Sequence, residues 1–190
     1  MKLFKTFILI IMISGCQNKQ NERKVEKQFD YNTISTNEFK ADTNKKQLIY
    51  EILNQAYIEK KDIPDYNLIK NKKRIYICDF YLPNFEKRNK ILLNRSEIPS
   101  KINGVEFIFK SEKEIQNLAD ETNDFLYSTI KHLEINGKKA KIGLSNNWVM
   151  SKKNKGKYAF MSGGMYILNF KKINGRWIFD EKSENIFIIS

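Results

Sequence analysis

Histidine occurs once in this chain of 190 residues, as His132, and cysteine twice, as Cys16 and Cys78. Any Ser/His/Asp or Cys/His arrangement would have to use His132. That residue lies in Ile130-Lys-His-Leu-Glu-Ile135, where alternation sets Ile130, His132 and Glu134 on one strand face. A surface or half-buried strand histidine is the expectation, not a catalytic base. So few Cys and His residues also argue against zinc, which is held by sets of both. No GxGxxG, P-loop or GxSxG pattern occurs, so phosphate cradles and a nucleophile elbow are missing. Asp120, Glu121 and Asp124 gather at one predicted helix end without the Asp-x-Asp-x-Asn-Gly spacing of a calcium loop. A solvated acidic end is expected there. Together these absences predict no catalytic residue, no metal and no cofactor, hence no enzyme.

Arginine is scarce as well. Only Arg23, Arg74, Arg88, Arg95 and Arg176 stand among the 34 basic residues, which face 22 acidic ones for a net charge of +12. Arginine is the side chain that reads bases and phosphates bidentately. The lysines are spread along the chain, not massed in one stripe, so no nucleic-acid partner is expected. A basic surface does gain electrostatically beside an anionic membrane or polysaccharide.

The apolar run at the start is short. Residues 7–13 contain no polar side chain, but such a stretch cannot span a bilayer as a helix. Lys2 and Lys5 precede it and Ile13-Ser14-Gly15-Cys16 closes it, which makes the pattern of a secretory signal. The tetrapeptide resembles the lipobox of bacterial lipoproteins. The resemblance implies cleavage before Cys16, lipidation of Cys16 and a lipid-anchored place in the cell envelope. Two or more acyl chains anchor stably, where one binds marginally. Gln17 is not acidic, which by analogy favours the outer membrane, on its periplasmic face or at the cell surface. In that oxidising compartment Cys78 has no second cysteine to pair with. It sits in the apolar run Arg74-Ile-Tyr-Ile-Cys-Asp-Phe-Tyr81 and reads as a buried small residue.

The organisation expected is a signal peptide over residues 1–15, the lipidated cysteine and a tether over 16–45, and one α+β domain over 46–190. The tether is polar and without periodicity; as a coil it would reach roughly 30 Å. Leu48, Ile49, Ile52, Leu53 and Ala56 share one helical face, and Pro64 marks a turn beyond it. Strands are expected over 74–82 and 105–110, with irregular chain between them punctuated by Pro83 and Pro99. Ser111 and Glu114 fit a capping box that opens a short helix to about Glu121.

From Phe125 onward the pattern is strand and turn. Asn136-Gly137 and Asn174-Gly175 sit between apolar runs, the strongest short hairpin signal. The strands expected are 125–135, 138–150, 157–172, 175–181 and 186–189, with Gly163-Gly164 as a bulge in the third. The fold class is therefore a curved antiparallel β-meander with one or two short helices packed on it. Tyr76, Phe80, Tyr127, Trp148, Tyr158, Phe160, Tyr166, Phe170 and Trp177 fall on these strands and read as core and cross-strand pairs. Trp148, beside Asn146 and Asn147, is the one expected to be exposed. Trp177 and Phe179 should point together into the core.

The run Gly137-Lys-Lys-Ala-Lys-Ile-Gly-Leu144 and the segment from Gly163 to the Asn174-Gly-Arg-Trp177 hairpin resemble the C-terminal half of uncharacterised lipoproteins of Bacteroidota. That resemblance implies no activity. A more distant one is to the NTF2-like fold, which implies helices in the concave face of a curved sheet. The functional expectation is a lipid-anchored, non-enzymatic binding or interaction domain with an unidentified protein or small-ligand partner. The alternatives are an NTF2-like pocket protein that binds or turns over a small apolar molecule and an immunity-type lipoprotein that blocks an envelope-directed toxin.

Overall fold

The apolar face that begins at Leu48 becomes helix α1, Asn44–Asn54. Thr43 caps it, its Oγ1 accepting from the backbone N–H of Lys46 at 3.2 Å, the bond that satisfies an orphan first-turn donor. In this computed structural model, residues 41, 43–60, 72–82, 90–157 and 163–189 are described. The lipobox with Cys16, most of the tether, the turn at Pro64, Pro83, Tyr158 and Phe160 lie outside the described residues. Helix α1 does not end where its α-geometry ends. It widens into a π-helical turn, Gln55–Glu59, closed by Lys60 at φ 52°. That turn keeps both Ala56 and Tyr57 buried.

Among the described residues nine strands follow: β1 (Arg74–Leu82), β2 (Ile91–Leu92), β3 (Lys101–Ile102), β4 (Val105–Lys110), β5 (Phe125–Asn136), β6 (Lys139–Val149), β7 (Gly164–Ile173), β8 (Arg176–Phe179) and β9 (Ile186–Ile189). They form one curled sheet ordered β3-β4-β1-β5-β6-β7-β8, with β2 added to β1 and β9 to β7. The part from β5 to β8 is the antiparallel meander expected. The sheet as a whole is mixed, because β1 runs parallel to both of its neighbours, β4 and β5. Parallel neighbours need a crossover, and helix α2 (Glu112–Glu121) supplies the one between β4 and β5.

The two helices sit on opposite sides of the sheet. Helix α1 packs into the concave side with Phe107, Ile130, Leu144, Tyr166, Phe170 and Trp177 in one buried cluster. Helix α2 covers the convex side over Cys78, Phe80 and Val149 through Ile115 and Ala119. Its capping box forms as the sequence predicts: Ser111 Oγ accepts from Glu114 N at 3.3 Å and Glu114 Oε2 accepts from Ser111 N at 2.8 Å. Among the described residues no helix is long and apolar enough to cross a membrane.

The register from Lys139↔Lys171 to Asn146↔Gly164 is unbroken. A Cβ on Gly163 would lie 2.5 Å from the carbonyl oxygen of Asn146, and the glycine permits that close approach. A bulge that the sequence does not announce is in β5, between Lys131 and Leu133, where His132 has φ 46°. It returns Leu133 and Ile135 to the core side, which overturns the simple alternation read for 130–135. Gly143 stands opposite, where a Cβ would meet Lys131 O at 2.7 Å. The Asn174-Gly175 turn has both residues at positive φ, as a two-residue hairpin requires. The β5–β6 turn falls one residue later than expected, on Gly137-Lys138, with Asn136 paired to Lys139.

Candidate functional site

Among the buried polar residues, three side chains form a cluster in the concave interior. The π-turn places Tyr57, β5 places Ser128 and β6 places Asn146, and the last two are direct cross-strand partners. Tyr57 Oη and Ser128 Oγ each lie 2.8 Å from Asn146 Oδ1 and are hydrogen-bonded to each other. All three are buried, Asn146 with 1 % of its surface exposed. Among the described residues the Asn146 Nδ2 group has no hydrogen-bond partner. A buried donor left unsatisfied costs about 1–3 kcal/mol, so this polar group is one that packing alone would not select.

The cluster holds protons and cannot take one. Burial pushes the Tyr57 phenol above its ordinary value, only partly opposed by the bond to Ser128. Ser128 bonds a phenol and an amide, neither of which is a base at neutral pH, so its hydroxyl is not activated as a nucleophile. His132 is not part of this cluster. It sits at the β5 bulge with its Nε2 3.3 Å from Glu134 Oε2.

Cys78 is fully buried on the convex side, under α2. Burial first, then the charges of Asp79 and Glu112, push its thiol up to about 12. The thiolate fraction at pH 8 is then on the order of one in 10⁴. A disulfide-exchange reagent is expected to label Cys78 only on unfolding, and Cys78→Ala to cost about 1 kcal/mol. Rapid labelling of the native domain would refute this inert reading.

Asp120 and Asp124 are not a freely solvated acidic end. They clasp the turn after β6. Asp124 Oδ1 accepts from Ser151 N at 2.7 Å and Ser151 Oγ at 2.8 Å, and its Oδ2 accepts from Asn154 Nδ2 at 3.0 Å. Asp120 Oδ1 accepts from Lys152 N at 2.7 Å and Gln116 Nε2 at 3.0 Å. The Ser151 backbone bond, first among these contacts, holds the Asp124 carboxyl below its ordinary value. Glu121 stays exposed outside the clasp. Among the described residues no group of three His, Cys, Asp or Glu side chains is placed to hold a metal.

Apart from Tyr76, which meets Phe125 at 5.0 Å between ring centroids, the described aromatics expected on the strands divide between the two cores. Tyr166, Phe170 and Trp177 join the concave one, and Phe80 with Tyr127 joins the convex one. Trp148 departs from expectation: it is half-buried and packs on the concave core, because even-numbered β6 residues face α1. Asn146 belongs to that same series, Ala140, Ile142, Leu144, Asn146, Trp148. An asparagine in an otherwise apolar alternation is the signal by which sequence reading could have found the cluster. In comparisons with known proteins, the chain has no significant match to a family model, a curated protein or a solved structure.

Proposed function

We propose that this chain is a lipid-anchored cell-envelope protein whose folded domain works by binding and not by catalysis. The observation that carries the reading is Ile13-Ser14-Gly15-Cys16 in register behind two lysines and an apolar run, the arrangement a lipidating signal needs. The chemistry of the domain supports the second half. The hydroxyls of Tyr57 and Ser128 bond to one another and to the Asn146 amide, and the Cys78 thiol is buried and neutral. Gln17 favours the outer membrane as the place of anchoring.

The anchor is tested by Cys16→Ser. The variant should incorporate no fatty acid and accumulate as uncleaved or mislocalised precursor. A variant that still fractionates with membranes at mature size would overturn the anchor. The binding half is tested by pull-down from intact envelopes with the anchor retained. One prominent partner supports it, and recovery of the protein alone overturns an interaction role.

A further inference from the structure

The end of the domain at which the N-terminal segment arrives is also a basic one. Residue Ala41, to which residues 17–40 lead, is held by a bond from Gln47 Nε2 to its carbonyl at 3.0 Å. Three residues on, Asn44 meets the β7–β8 hairpin twice. Its carbonyl accepts from Trp177 Nε1 at 3.2 Å, and its Oδ1 bonds Lys172 Nζ. The β5–β6 turn reaches the same place, because Lys172 N donates to Lys138 O at 2.8 Å and Lys139 pairs with Lys171. Two hairpin tips and the start of α1 therefore form one surface.

It is rich in lysine. The tips contribute Lys138, Lys139 and Lys172, and α1 adds Lys46 in a first turn that has no acidic residue. Cations there oppose the helix dipole, so α-helix stability does not account for them. Of the acids nearby, Glu97 pairs with Lys45 at 2.9 Å and Asp180 with Lys171 at 3.1 Å, Glu134 accepts from Asn136 Nδ2 at 2.6 Å, and Glu51 interacts with Arg176. Beside the lysines Ile173 is 42 % exposed, and Asn174-Gly175 forms the exposed tip. Lysines around a protruding aliphatic side chain suit a layer of anionic headgroups over an apolar interior.

We infer that this end, formed by the β5–β6 and β7–β8 hairpin tips with the start of α1, docks on an anionic phospholipid surface. The inference rests on the lipid-anchor reading, which gives it a membrane to meet. Attraction to a charged surface fades within about 8 Å at physiological salt, so basic groups act only if the anchor brings their end of the domain close. The chain from Cys16 enters at Ala41, so this end lies nearest the anchor along the chain. An interaction too weak for a free protein then operates at the high local concentration that anchoring supplies.

The test uses the whole lipoprotein, labelled metabolically with palmitate, extracted and reconstituted on two kinds of vesicle. One is phosphatidylcholine alone, and the other contains added phosphatidylglycerol. Amine acetylation is then followed residue by residue. Lys138, Lys139 and Lys172 should react several-fold more slowly on the anionic vesicles and recover in high salt. Lys153 and Lys155, in the turn beyond the far end of β6, should not change; eleven residues of strand put them roughly 35 Å away along the chain. Palmitate-labelled protein whose tip lysines react equally on both vesicles would overturn the docking surface and leave the anchor standing. Protection seen only in whole envelopes would point to a protein or polysaccharide partner and overturn the lipid. Absence of palmitate would remove the anchor, and the inference with it.

Discussion

Replacing Trp177 with alanine is expected to destabilise the domain by about 3–5 kcal/mol, the range for deleting a large buried aromatic. The indole is 1 % exposed and lies on the α1-facing side of β8, where the short strand has few other anchors. Its ring fills the concave cluster beside Phe179, which itself stacks on Phe170 at 5.9 Å between centroids. Its Nε1 donates to Asn44 O at 3.2 Å, and Lys172 Nζ lies 5.4 Å from the ring centroid. Truncation leaves a cavity and removes one of the bonds that fasten the start of α1 to the sheet. Domains of this kind are stable by only about 5–15 kcal/mol in total, so the loss should be plain in a urea titration. Trp177→Phe keeps most of the area and loses the hydrogen bond, and should cost roughly 1–2 kcal/mol. An exposed control, Lys153→Gln, should stay within about 0.5 kcal/mol. A Trp177→Ala loss below about 1.5 kcal/mol would mean that the ring does not join helix to sheet.

The order of the strands was legible in the residues wherever local pattern and tertiary placement agree. Ala140, Ile142 and Leu144 alternate with lysines and polar residues, because β6 has one wet face, and the two Asn-Gly pairs lie at or beside the β5–β6 and β7–β8 turns. Ser111 and Glu114 marked α2 because a capping box is a bond between neighbours in sequence. What local pattern cannot carry is partner choice. Nothing in Arg74–Leu82 distinguishes a strand with two parallel neighbours from an antiparallel edge, and its pairing depends on where α2 crosses the sheet. The strands Ile91–Leu92 and Lys101–Ile102 are each two residues long, too short for any period to show.

The bulge at His132 illustrates a different limit. A bulge changes the face of every residue after it, and nothing in Lys131-His132-Leu133 announces the insertion. The visible trace is Gly143, across the ladder, which leaves room for the Lys131 carbonyl. Only the pairing register shows that these positions oppose one another. The polar cluster was half legible. Asn146 breaks an apolar alternation and Ser128 lies between Leu126 and Ile130 on the same face. Tyr57, its third member, was hidden by the π-turn, since the α-helical period that fits residues 48–56 does not place the residue beyond.

Substituting Glu51 with glutamine is expected to flatten the pH dependence of stability and to stabilise the domain above pH 8. Glu51 lies on α1, half-buried. Burial first, then the charge of Glu59, push its carboxyl up from 4.5 to about 8, against the lowering effect of Arg176. A folded-state value above the unfolded one means that the native state holds a proton the unfolded chain has released. The associated stability is fully present below pH 4.5 and is lost as the pH rises towards 8. Each tenfold change in proton affinity is worth about 1.4 kcal/mol. With solvent screening of a half-buried group allowed for, the loss is on the order of 3–4 kcal/mol. The carboxyls of Asp124 and Asp180, held low by hydrogen bonds from Ser151 and Ser183, act in the opposite sense. They add stability above their unfolded values and lose it in acid, so they do not mask the slope between pH 5 and 8. Denaturant midpoints at pH 5.5 and 8.5 should therefore differ by a few kcal/mol for the native sequence and by far less for Glu51→Gln. Equal stability of the native sequence at both values would show Glu51 ionised in the fold, with Arg176 as its counter-ion.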